Sequence, residues 1–121
     1  MSIVEVHARL GNGIVLFYLA LAIWGAVRFA RRQGVSESYW VALVIAELVI
    51  LTQGGLGIYL LYGGIRSVQS SHVLYGFVSP LTTPAVYVFT RGREGRSEML
   101  AYAVMALVTA GLVAGAISTA L

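Results

Sequence analysis

The chain has 121 residues, of which 59 % are apolar and only 11 % charged, with a formal net charge of +3. That balance exceeds what a water-facing globular surface tolerates, so it excludes a soluble domain and points to a membrane protein. The sequence contains no cysteine, which removes disulfides, thiolate metal sites, thiol nucleophiles and covalent c-type haem attachment.

A membrane-spanning helix needs about 20 mostly apolar residues. Four such blocks can be cut from the sequence with little left over, which predicts a single transmembrane domain over 1–121 and leaves no room for a soluble catalytic domain. The first helix is expected over about 3–32. Ser2-Ile-Val-Glu5 has the form of a capping box, in which hydroxyl and carboxylate each satisfy a free backbone N–H at a helix start. The helix includes His7, passes Phe17, Trp24 and Phe29, and meets a basic stop at Arg31-Arg32-Gln33-Gly34, where the glycine suits a C-terminal cap. It is longer than a bilayer core, so its first turns stand in the outer interface.

Ser36-Glu37-Ser38 opens the second helix, expected over about 38–62, with Tyr39 and Trp40 as an inner aromatic belt. Its apolar run is broken by Glu47, Gln53 and the cluster Gly54-Gly55-Leu56-Gly57, and Gly63-Gly64 ends it. Ile65 to Gln69 forms an external link. Ser70 or Ser71 then caps a third helix over about 71–90, just before His72. Pro80 and Pro84 remove two backbone donors from that helix, which predicts a kink or local unwinding, with Ser79, Thr82 and Thr83 able to bond the freed carbonyls. Ser97-Glu98 is expected to cap the fourth helix, over about 97–120, which carries Gly111 and Gly115 as a small-residue packing pair.

All eight positive charges are arginines. Arg28, Arg31 and Arg32 follow the first block and Arg91, Arg93 and Arg96 separate the third from the fourth, while Arg9 and Arg66 fall on the other side. The positive-inside rule places both basic loops in the cytoplasm and both termini outside. The fold expected is therefore an all-α, four-helix, up-down transmembrane bundle. No cleaved signal peptide is expected, because no basic region precedes the first apolar run. A weak echo runs through the chain: His7-x-x-x-Gly11 recurs as His72-x-x-x-Gly76, Ser36-Glu37 as Ser97-Glu98, and Gly54 as Gly115. One short loop difference reconciles the spacings, as in two tandem copies of a two-helix hairpin.

In this topology the first and third helices both start outside, which puts the chain's two histidines, His7 and His72, at similar depth on diagonal helices. Two neutral imidazoles at matched depth are what six-coordinate haem b requires, one on each face of the iron. Gly11 and Gly76 lie one turn deeper on the same faces and would leave room for a flat macrocycle. Arg9 and Arg66 could pair with propionates, and Tyr75, Phe77 and Phe17 could supply aromatic packing.

A four-helix membrane bundle with histidines on its first and third helices resembles the small membrane b-type cytochromes, including the cytochrome b561-like group. The resemblance covers the architecture and the two histidines; the chain lacks the second histidine pair of the dihaem members. His72-Val-Leu-Tyr-Gly76 and Pro84-Ala-Val-Tyr-Val-Phe-Thr-Arg-Gly-Arg93 also resemble a set of uncharacterised small bacterial membrane proteins. The first resemblance implies a haem b-binding membrane subunit, passing electrons within a respiratory or photosynthetic complex; the second implies a family of bacterial membrane proteins, with the inner membrane as the expected location, without implying an activity.

Other chemistries fit the same residues. Interfacial histidines also serve as structural contacts, in which case the chain is a cofactor-free accessory subunit packed against a larger membrane complex or a second copy of itself. A chlorophyll-type pigment would use one histidine alone, and a bare metal finds only Glu5 nearby to complete its shell. Glu47, a carboxylate inside a spanning helix, must pair, protonate or face a wet cavity. It would hydrogen-bond Thr82, Thr83 or Tyr87, or handle protons or a quinone together with Gln53. Nothing in the sequence offers a soluble nucleophile, a phosphate loop or a nucleic-acid surface, so stand-alone enzymatic turnover is not expected.

Overall fold

The computed structural model describes residues 2–63 and 69–120, and the regular secondary structure among them is helical throughout. Helix α1 runs over Ile3–Ala30, α2 over Glu37–Tyr62, α3 over Ser70–Val78, α4 over Thr82–Thr90 and α5 over Arg96–Ser118. A single 3-10 turn, Ser79–Leu81, joins α3 to α4, so that Ser70–Thr90 acts as one span. Four helical segments among the described residues are thus long and apolar enough to cross a membrane.

The first two helices start where their side-chain chemistry directs. Ser2 Oγ accepts the Glu5 N–H and Ser36 Oγ accepts the Tyr39 N–H, both at 3.1 Å, satisfying donors that a helix start leaves open. The later two do not. Gln69 occupies the cap position of α3 and Gly95 that of α5, neither with a side-chain bond, so Ser70, Ser71 and Ser97 do not cap. Glu98 instead takes a 3.3 Å bond from Arg93. The correspondence between Ser36 and Ser97 therefore does not extend to function. Gly34 is not a C-cap either: the chain turns at Arg32, which adopts φ 59°, and Gly34 is small because a Cβ there would collide with the Glu94 carbonyl.

The two prolines act as expected, and the hydroxyls compensate nearby rather than at the freed carbonyls. Ser79 Oγ donates to the Tyr75 carbonyl at 2.6 Å and Thr82 Oγ1 to the Ser79 carbonyl at 2.9 Å. Both bonds stay within the turn, where a lipid environment offers no water to take their place.

Helix α1 packs most closely along α5 and beside α2, while the third span lies on α5 and touches α2 at the 3-10 turn. Without a hydrophobic driving force between helices in lipid, close approach through small residues sets this arrangement. The small residues are alanines as much as glycines. A Cβ on Gly25 would stand 2.9 Å from Ala103 Cβ and 3.1 Å from Met99 Cε, and Ala106 and Ala110 continue the seam. Gly111, by contrast, faces open space and Gly115 receives the Tyr75 ring, so these two do not form a packing pair on one surface. Tyr39 is not a belt residue: it is 0 % exposed, and its hydroxyl donates to the Leu21 carbonyl at 2.8 Å.

One end of the molecule is formed by the two arginine-bearing loops. The Val35 N–H donates to the Glu94 carbonyl at 2.9 Å, Arg28 to the Gly34 carbonyl at 2.8 Å, and Arg96 to the Phe29 carbonyl at 2.9 Å while its guanidinium lies 3.9 Å from the Phe29 ring centre. Trp40 Nε1 donates to Glu94 and its ring packs edgewise on Tyr87 and Tyr102. The histidines lie at the other end.

Candidate cofactor site

His7 is in the second turn of α1 and His72 in the first turn of α3, and their rings meet edgewise with centres 6.3 Å apart and planes at 79°. Helix α5 holds the second ring: His72 Nδ1 lies 2.5 Å from the Ala116 carbonyl oxygen. A carbonyl can only accept, so Nδ1 carries the proton and Nε2 keeps its lone pair. Ala116 contributes through its backbone, which side-chain patterns do not flag.

Helix α2 holds the first ring. Gln53 Nε2 donates to the His7 carbonyl at 2.7 Å, and one turn further on a Cβ at Gly57 would stand 3.3 Å from His7 Cε1. Gln53 thus belongs with the histidines and not with Glu47. His7 Nδ1 and Gln53 Oε1 are both buried without a hydrogen-bond partner. Each unmet group of this kind costs about 1–3 kcal/mol, so two on facing residues of α1 and α2 call for a partner.

The glycines differ in what they admit. Gly76 faces open space, leaving room beside His72. Gly11 is buried, and the face it would have opened to a ring is occupied by Gln53 and Ile117: a Cβ there would lie 3.2 Å from Gln53 Nε2. Arg9 is exposed, and Arg66 lies outside the described residues. Of the aromatics, Tyr75 covers Gly115, Phe77 is 71 % exposed, and Phe17 packs against the core.

Comparison with known proteins finds no matching family model, no matching curated protein and no matching solved structure. The chemistry of the side chains is what remains to assign a ligand. The donor set suits a haem better than a bare ion. Among the described residues no group of three or more His, Cys, Asp or Glu gathers, and two imidazoles alone leave a bare ion short of a full shell. A macrocycle brings its equatorial nitrogens with it. The ring centres are at a distance that permits it: a ligating nitrogen sits about 2 Å from its metal and about 1 Å from its ring centre, so two rings on opposite faces of one ion stand about 6 Å apart.

Glu47 lies in the other half of α2, between the histidines and the arginine loops. Its Oε1 is buried without a partner, as is the Tyr18 hydroxyl, for which Glu47 and Thr83 are neighbours. None of the partners expected for it bonds it: Thr82 bonds Thr109 at 2.6 Å, Thr83 reaches Met105 Sδ at 3.4 Å, and Tyr87 packs its ring on Trp40. Glu47 lines a groove of about 340 Å³ with Trp40, Leu43, Thr83, Pro84 and Tyr87.

Proposed function

We propose that the chain is a small haem b-binding subunit of the bacterial inner membrane, passing electrons within a respiratory or photosynthetic complex, with His7 and His72 as the axial ligands. The observation that carries this is the 6.3 Å separation of the two rings, with His72 held so that Nε2 is its free nitrogen. Bound haem would supply one-electron chemistry; the chain's own residues orient the two imidazoles and keep the site among apolar helices. Gly76 leaves space beside the site, and Arg9, exposed near the same end, offers a cation to propionates.

The same reading includes an up-down bundle in which the arginine loops face the cytoplasm and both termini and the histidines face outward. It is supported by the gathering of Arg28, Arg31, Arg32, Arg91, Arg93 and Arg96 about two touching loops. Visible spectroscopy of the purified chain, as isolated and after adding haem, tests the function. Reducible haem b bands are expected in the wild-type chain and not in His7→Ala or His72→Ala. Bands absent from the wild type, or unchanged in both variants, would overturn the proposal in favour of a cofactor-free accessory subunit.

A further inference from the structure

The spacing His7-x-x-x-Gly11 has a meaning in the structure other than room for a ring. In an α-helix the carbonyl of residue i points toward the N–H of residue i+4, so the side chain at i+4 flanks any outside donor approaching that carbonyl. Gln53 is such a donor. It reaches the His7 carbonyl at 2.7 Å past the bare Cα of Gly11, where a Cβ would stand 3.2 Å from the amide nitrogen. Gly57, one turn along α2 from Gln53, is bare where a Cβ would meet His7 Cε1 at 3.3 Å and His7 Nε2 at 3.8 Å. Gln53 and Gly57 therefore embrace His7 from one helix, the first bonding its backbone and the second admitting its ring.

The amide orientation is fixed by chemistry. Nε2 faces the His7 carbonyl because a carbonyl accepts only, which leaves Oε1 as an acceptor in search of a donor. Oε1 is buried and unpartnered, and so is Nδ1 of His7, whose ring the same amide adjoins. The two are complementary in one tautomer alone, with the proton on Nδ1. His72 is already held in that tautomer by the Ala116 carbonyl.

We propose that Gln53 is a positioning residue for His7, its amide oxygen accepting the Nδ1 proton, so that His7 and His72 both present Nε2 lone pairs. Gly11 is the clearance that lets the amide in. The purpose of this arrangement rests on His7 being an iron ligand; the tautomer does not, and it can be read in the haem-free chain. Second-sphere bonds of this kind orient a ligating imidazole and raise its basicity.

The test uses the full chain in lipid nanodiscs, labelled with nitrogen-15 at histidine, without haem. Nitrogen NMR is expected to show His7 as the Nδ1–H tautomer in the wild type, with a shift toward the Nε2–H form in Gln53→Leu, which cannot accept. Gln53→Glu should keep the Nδ1–H form. Gly11→Ala, which crowds the amide without removing it, should give a partial shift. Unchanged His72 resonances show that each variant keeps its fold. A wild-type His7 in the Nε2–H form, or one indifferent to Gln53→Leu while His72 is intact, would overturn the proposal. With haem added, Gln53→Leu should weaken binding by about 10–100-fold and raise the reduction potential. Equal affinity and potential would overturn the positioning role. A wild-type chain that takes up no haem would overturn the proposed function, and the nitrogen spectra would still decide the tautomer.

Discussion

The two ends of this bundle are built on opposite terms. At the arginine end the loops cap each other: the Phe29 and Gly34 carbonyls receive guanidinium donors, Glu94 takes bonds from both the Val35 backbone and the Trp40 indole, and Gly34 is bare so that the loops can touch. At the histidine end, Gln53 Oε1 and His7 Nδ1, from two facing helices, are withdrawn from solvent and left without partners, where the arginine end leaves the Tyr102 hydroxyl so placed. The difference teaches that the arginine end holds the helices in register through bonds between its loops, while the histidine end gathers complementary polar groups of α1 and α2 in one buried place.

The contrast is broken most directly by removing a histidine. His7→Ala and His72→Ala should each abolish the low-spin haem spectrum, with losses in haem affinity beyond the roughly 10–100-fold typical of supporting residues, while far-ultraviolet circular dichroism stays unchanged. Next in size is Gly34→Ala. Its methyl meets backbone rather than a flexible side chain, so the loops must part, and reversible unfolding in mixed detergent should show a loss of about 1–3 kcal/mol without a change in haem affinity. Arg96→Ala removes one carbonyl bond and the contact with the Phe29 ring, for an expected loss of about 1 kcal/mol by the same assay. Smallest is Glu47→Gln, which keeps the side chain's shape and replaces one carboxyl oxygen by an amide nitrogen: stability should move by less than about 1 kcal/mol and the haem spectrum should not move. A haem spectrum altered by Glu47→Gln would show that the polar site in the middle of α2 is coupled to the histidines, and the separation of the two regions would fail.

Much of the architecture is legible in the residues because lipid imposes simple rules. Apolar length marks four spans, Pro80 and Pro84 mark the break in the third, and Ser2 and Ser36 mark two helix starts by local chemistry alone. What misleads is the long-range contact. Ser97-Glu98 looks like a cap until Gly95 takes that place beside Gly34 and Glu98 receives Arg93. The nearness of His7 and His72 follows from counting spans. The bond from Gln53 to His7 does not: it depends on the register of the α1–α2 hairpin, which places residue 53 level with residue 7, and a six-residue separation from Glu47 gives no hint of it. Gly11 is misread for the same reason, since a bare position looks alike whether it clears a ring or an amide.

The 3-10 turn at Ser79–Leu81 divides the third span into two stiff rods of nine residues each. Mechanically these are levers on a shared pivot. The lever at the histidine end is pinned to α5 by His72 and Tyr75, the one at the arginine end by Thr82 and Thr83 through Thr109 and Met105. A tilt of the rod at the histidine end would be taken up at the pivot, where hydroxyl bonds to carbonyls can stretch and re-form, and the other rod would keep its place against the arginine loops. The span can therefore yield at one end without disturbing the register of the other.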